Sequence, residues 1–253
     1  MRIAYLGDRL LVAYNEVGFL RTDVESICRI GRSTKTQSEK QIGEKGIGFK
    51  SVFKIADIVF ISSGYYTFKF DRSEGNLGMV TPEWVDVFPA DVLSGYTSIL
   101  LYIRKDVDQS MLRQEMQEMD PRYLLFLKNL RAIQIGMTNS EGADLDITLT
   151  RTENTKSIQS QWVSTLTYSY RREDEENLQK QRYFVSRHIA KDLPKEPKRG
   201  SRTTSYIFLA FPIPEAIDGK PKTQQVYAFL PIRDFGFTVR LSSLLFAFTL
   251  IFP

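Results

Sequence analysis

The chain has 253 residues, 42% of them apolar and 25% charged. That is enough for one large domain or two modest ones with real cores, and it excludes a disordered tail. The single cysteine, Cys28, excludes a disulfide framework and a cysteine-ligated zinc site and points to a reducing, intracellular setting, cytoplasm or nucleus. The longest apolar stretch, residues 241–253, falls short of the roughly 20 residues a spanning helix needs, so no membrane partner is expected. The N-terminus lacks the apolar region of a signal peptide. The net charge of +4 is mild, but seven Lys and Arg face only two acids between Arg29 and Lys54. The basic excess is therefore local.

In chain order, apolar runs at 2–6 and 10–14 flank Gly7-Asp8 and predict a β-hairpin. Thr22-Asp-Val-Glu25 reads as a capping box, and Val24, Ile27, Cys28 and Ile30 share one face of a helix over 22–30 that stops at Gly31. Residues 31–45 are rich in Ser, Thr, Lys and Gln with Ile42 as the one apolar residue, which predicts a loop. Phe49, Val52, Phe53 and Ile55 suggest a short helix. Runs at 57–62, 65–70 and 97–103 read as strands of one sheet. Asp108–Met119 is a polar helix, and Asp120-Pro121 caps a second one over Pro121–Leu130. Beyond it the chain is β-rich: 131–137, 145–151, 161–170, 182–189, 204–211 and 224–231.

The chemistry concentrates early. Asn15-Glu-Val-Gly18-Phe19, the basic stretch Gly31-Arg-Ser-Thr-Lys-Thr36, and Gly43-Glu-Lys-Gly46-Ile-Gly48-Phe-Lys-Ser51 follow one another. Glycines opening a helix let backbone amides approach phosphate oxygens, and the helix N-terminus adds partial positive charge. A dinucleotide fingerprint would read G-x-G-x-x-G directly after a strand, and here the order is G-x-x-G-x-G after a polar loop. A P-loop needs Gly-Lys-Ser/Thr in sequence, but Phe49 separates Gly48 from Lys50-Ser51.

These residues resemble the GHKL, or Bergerat-fold, ATPases: gyrase-type topoisomerases, the ninety-kilodalton heat-shock chaperones and histidine kinases. Gly43–Ser51 is similar to the family's G-x-x-G-x-G box, which bounds the ATP lid. Asn15–Phe19 looks like a divergent D-x-G-x-G box, and Gly95-Tyr-Thr97 is similar to the Gly-Thr box. The branch of plant No Vein-like and fungal large proteins looks nearest, through N-E-x-G-F at Asn15–Phe19, I-G-x-S-T-K at Ile30–Lys35 and I-G-x-K-G-I-G-F-K-S-V-F at Ile42–Phe53. The segment Val226–Phe237 is also similar to that branch. The resemblance implies that ATP, with magnesium on its phosphates, meets Arg32, Ser33 and Lys35 from a lid over 31–45. It implies that the glycine box, Gly43, Gly46, Ile47, Gly48, Phe49 and Lys50, cradles the phosphates through its backbone, and that Asn15, Gly18, Phe19 and Thr97 border the base. ATP binding would then act as a conformational switch, with an unidentified protein client.

The same resemblance exposes departures. No Glu-x-x-x-Asn box, with its general base and magnesium ligand, precedes Asn15 in this sequence, so the ATPase domain is expected to be N-terminally truncated and no catalytic residue is assigned. Tyr14 stands where the adenine-reading Asp belongs, and Glu16 replaces the first Gly. A lost buried carboxylate is worth about 1–3 kcal/mol of affinity, and a missing general base roughly 100- to 10,000-fold in rate. The expected fold is α+β: a Bergerat-type α/β two-layer sandwich over 1–106, a mixed sheet with helices on one face, then a β-rich α+β domain over 107–253 cut at its C-terminus. The alternative is a non-catalytic interaction or structural protein with a degenerate site. A nucleic-acid binder ranks last, because no groove-reading motif accompanies the basic stretch. Lys50 also reads as a plain helix-surface lysine, Cys28 as core packing, and His188 as neither a metal ligand nor a triad member.

Overall fold

The computed structural model describes residues 1–28, 49–90, 95–127, 129–138, 144–158, 160–172, 175–192, 203–213, 224–228, 230–237 and 240–243. The expected lid over 31–45, the glycines of the 43–48 box and the apolar end beyond 243 lie outside them. Two compact units divide the chain: Met1–Met119 with Ile133–Ile147 and Tyr170–Glu176, and Asp120–Ala132 with Thr148–Ser169 and Asn177–Pro253.

In the first unit the hairpin forms as its pattern requires. β1 (Arg2–Tyr5) and β2 (Arg9–Tyr14) pair antiparallel, and Leu6 donates its amide to the Arg9 carbonyl at 2.8 Å across the turn. β3 (Ala56–Ser63) and β4 (Tyr66–Asp71) make a second hairpin, β5 (Glu83–Trp84) extends it, and β6 (Thr97–Ile103) lies between β2 and β3. β7 (Ala132–Thr138) adds on the far side, parallel to β1. The order is β7-β1-β2-β6-β3-β4-β5. Val59, Ile61, Phe68, Phe70 and Leu100 have no accessible surface and form the core of this sheet.

α1 (Arg21–Cys28) follows β2 and buries Val24. It begins one residue ahead of the expected cap, so that Thr22 lies in its first turn and the Asp23 carboxylate accepts the Leu20 amide at 2.9 Å. α2 (Gln109–Gln117) starts as expected, with the Asp108 carboxylate accepting from Ser110 and Met111 amides. The segment after Gly48 winds as a 3-10 turn, Phe49–Lys54.

The second unit is β-structure. β8 (Asp144–Ile158) enters it at Thr148, and β9 (Gln161–Arg172), β10 (Glu175–Ala190), β11 (Ser205–Ile213), β12 (Gln224–Ala228), β13 (Leu230–Phe237) and β14 (Arg240–Ser243) follow. Their order is β13-β12-β14-β11-β10-β9-β8. Pairing is antiparallel at β10–β11, β11–β14 and β12–β13, and parallel at β12–β14.

The expected α/β two-layer sandwich with helices on one face, and the α+β class with it, is corrected by these elements. Among the described residues, fourteen strands in mixed pairing stand against two α-helices of eight and nine residues, too little helix to cover one face. The expected helix over Pro121–Leu130 shows one reason. Asp120 caps its start, accepting from the Arg122 amide at 2.9 Å, but it runs only as a 3-10 turn, Pro121–Leu125. The buried Arg151 guanidinium takes the carbonyls of Leu124 and Leu125, which an α-helix would have used for its next turn. Truncating a fully enclosed side chain of the first unit should be costly: Leu100→Ala is expected to lower unfolding free energy by about 2–5 kcal/mol, measured by urea denaturation of both proteins.

Candidate functional site

β2 ends at Tyr14, which lies opposite Thr97 at the start of β6. The chain leaves the sheet through Asn15–Leu20, with the Glu16 amide donating to the Tyr14 carbonyl at 3.1 Å. Gly18 has a φ of +90°, a backbone state that L side chains rarely adopt. A Cβ there would stand 3.7 Å from both the Gly64 amide nitrogen and Ser63 Oγ, so conformation rather than space demands glycine. The turn sets the Phe19 amide to donate to Ser63 Oγ at 2.8 Å. Ser63 Oγ in turn lies 2.5 Å from Thr97 Oγ1, and both residues are fully enclosed.

Three of the expected residues, Gly18, Phe19 and Thr97, thus meet around one serine that sequence reasoning had not singled out. The available signal was slight: Ser62-Ser63 closes an otherwise apolar strand just before Gly64. Asn15 is exposed beside Glu16. Tyr14 shares the Thr97 face, as directly opposed residues do. Burial, with the nearby Glu16 charge second, pushes its phenol well above the ordinary tyrosine range. It is a neutral hydroxyl where the resembled family carries a carboxylate. On the opposite face Ser62 pairs with Ser98, whose buried hydroxyl has no partner among the described residues.

Phe49 and Lys50 lie elsewhere in the same unit. Phe49 packs on Phe70 with ring centres 5.7 Å apart, and Phe53 meets Phe70 edge-on at 6.3 Å. The Lys50 ammonium sits 4.6 Å from the Phe70 ring centre, 5.4 Å from Phe49 and 5.9 Å from Phe53, and donates to the Met79 carbonyl. That carbonyl is placed by a tight approach at Gly78, where a Cβ would come within 1.7 Å of the Asp71 carbonyl oxygen. Burial lowers the Lys50 pKa to about 8, with the Cys28 thiolate opposing the shift. Burial likewise raises the Cys28 thiol, with Lys50 opposing. Lys50 is therefore a half-buried cation over aromatic faces rather than a plain surface lysine.

Arg32, Ser33, Lys35, Gly43, Gly46, Ile47 and Gly48 lie outside the described residues. Among those described, no group of three His, Cys, Asp or Glu could hold a metal ion, and His188 Nε2 sits 3.0 Å from Ser186 Oγ. No helix there is long and apolar enough to cross a membrane.

The family comparison falls on this same unit. Residues 2–83 match the sacsin domain family. Protein NO VEIN of Arabidopsis thaliana is 43% identical over 89 residues, covering 35% of this chain and 3% of that protein. The chain thus spans a small share of the relative it matches, and the two matches support a No Vein-like, sacsin-type relationship.

The depressed Lys50 pKa sets a pH dependence. Between about 8 and the ordinary 10.5 the unfolded chain binds a proton that the folded chain has released, so stability relative to Lys50→Met rises with pH across that window. Below it both states are protonated and the difference is level. Thermal melts of the two proteins, from about pH 7 to about pH 11, check this; a flat difference throughout would contradict it.

Proposed function

We propose that the chain is part of an ATP-binding module of the GHKL type, related to the chaperone and histidine-kinase ATPases, that acts inside the cell as a nucleotide-dependent conformational switch on a protein client. The observation that carries this is the buried link from the Phe19 amide through Ser63 to Thr97. It joins two separate motifs, Asn15–Phe19 and Gly95–Thr97, that the resemblance assigns to the base. The sacsin-domain match over 2–83 takes in both the first of these and the glycine box at Gly43–Ser51. Arg32, Ser33 and Lys35 would meet the phosphates, magnesium would bridge them, and the backbone amides of Gly46 to Lys50 would cradle them. Hydrolysis is not part of this proposal: no Glu-x-x-x-Asn stands ahead of Asn15 in this sequence.

One observation favours a rival, a non-catalytic interaction protein. Tyr14 offers a neutral phenol where the adenine amine would meet a carboxylate, which weakens base recognition. Titrating the protein with a fluorescent ATP analogue and magnesium separates the two. Saturable binding that disappears in a Gly46→Ala, Gly48→Ala double variant is expected. No binding at about 1 mM nucleotide, a free energy of only about 4 kcal/mol, would leave the interaction reading standing.

A further inference from the structure

We propose that Arg151 is a conformational lock: its guanidinium holds residues 121–125 as a 3-10 turn in a segment whose own sequence favours an α-helix. Removing it lets the helix run on. The inference is independent of the nucleotide reading and concerns the second unit alone.

The local signals favour a helix. Asp120 is the cap, Pro121 stands at the first helical position, and Leu124, Leu125, Leu127 and Lys128 are good helix formers. The start forms as those signals require: the Asp120 carboxylate accepts from the Arg122 amide at 2.9 Å, and the Tyr123 amide donates to the Asp120 carbonyl at 3.2 Å. That second bond has 3-10 spacing. In an α-helix the Leu124 and Leu125 carbonyls would accept from the amides of residues 128 and 129. Here Nη1 of Arg151 donates to both, to Leu125 at 3.1 Å.

Arg151 is placed for this by its own strand. It lies on β8 and is 6% exposed, and its amide donates to the Arg131 carbonyl at 2.8 Å, so one residue pins the segment at both ends. Glu153 stands 3.4 Å from Arg151 Nε and 2.7 Å from Arg131 Nη1. A charged donor makes a stronger bond to a carbonyl than a neutral amide does, which decides the competition. The segment is therefore a two-state element biased by one side chain, the kind of element on which a conformational switch depends.

The test is Arg151→Met on the full chain, followed by the 13Cα shifts of Tyr123 to Leu127 and by far-UV circular dichroism. Glu153 keeps Arg131 as its partner in this variant, so its carboxylate is not left alone. A gain of about four residues of helix, one turn, is expected, a readout that mere destabilisation would not produce. Adding Asn129→Pro should abolish the gain by removing the amide that the Leu125 carbonyl needs. Unchanged turn shifts, or a gain that survives Asn129→Pro, would overturn the lock. If Arg151→Met does not fold, the parent chain decides. Its Arg151 guanidinium protons should exchange with water at least about tenfold more slowly than those of the exposed Arg21, and exchange at the Arg21 rate would overturn the proposal.

Discussion

The backbone amide of Phe19 and the buried hydroxyls of Ser63 and Thr97, at the end of β3 and the start of β6, tie together segments 44 and 34 residues apart in the chain. Much of the first unit has to be right for that to happen. The β2–β6 register sets Thr97 opposite Tyr14, and the β3–β6 register sets Ser62 opposite Ser98, which brings Ser63 beside Thr97. A slip of one residue would turn either hydroxyl to the other face. The register is held by the apolar residues behind it, Val59, Ile61 and Leu100, and the approach of Phe19 by the positive φ of Gly18.

The glycine-box end of the unit is held differently. Lys50 places a cation over Phe49, Phe53 and Phe70 and closes on the Met79 carbonyl. The rings provide favourable quadrupole faces, and burial lowers the ammonium pKa. This fixes the residues that follow the glycine box to the sheet core through Phe70 of β4.

Much of the architecture was legible from periodicity. The hairpin at Gly7-Asp8, the strands from 57 to 103 and the polar helix after Lys105 follow from local pattern and turn chemistry. The helix expected over 121–130 did not survive because Arg151, distant in sequence, captures its carbonyls, and no local rule reports that. The two-layer sandwich was inferred from family likeness rather than from the residues, and the strand content overturned it. At the site, Gly18, Phe19 and Thr97 were legible as motif members. Ser63 was not, because a serine at a strand end has no signature until its partners on β6 and the turn after β2 are known. Lys50 was misread as a surface lysine because the aromatic faces around it come partly from β4, beyond the reach of helical spacing.

The central claim is that the Phe19–Ser63–Thr97 link lies at a ligand site. Backbone amide NMR of the full chain during titration with ATP and magnesium addresses it directly. The account predicts saturable shifts at the Phe19, Ser63 and Thr97 amides, with those of β10 and β11 unmoved. Saturation of the spectrum by nucleotide with these three amides unshifted, or no shift anywhere, would contradict it.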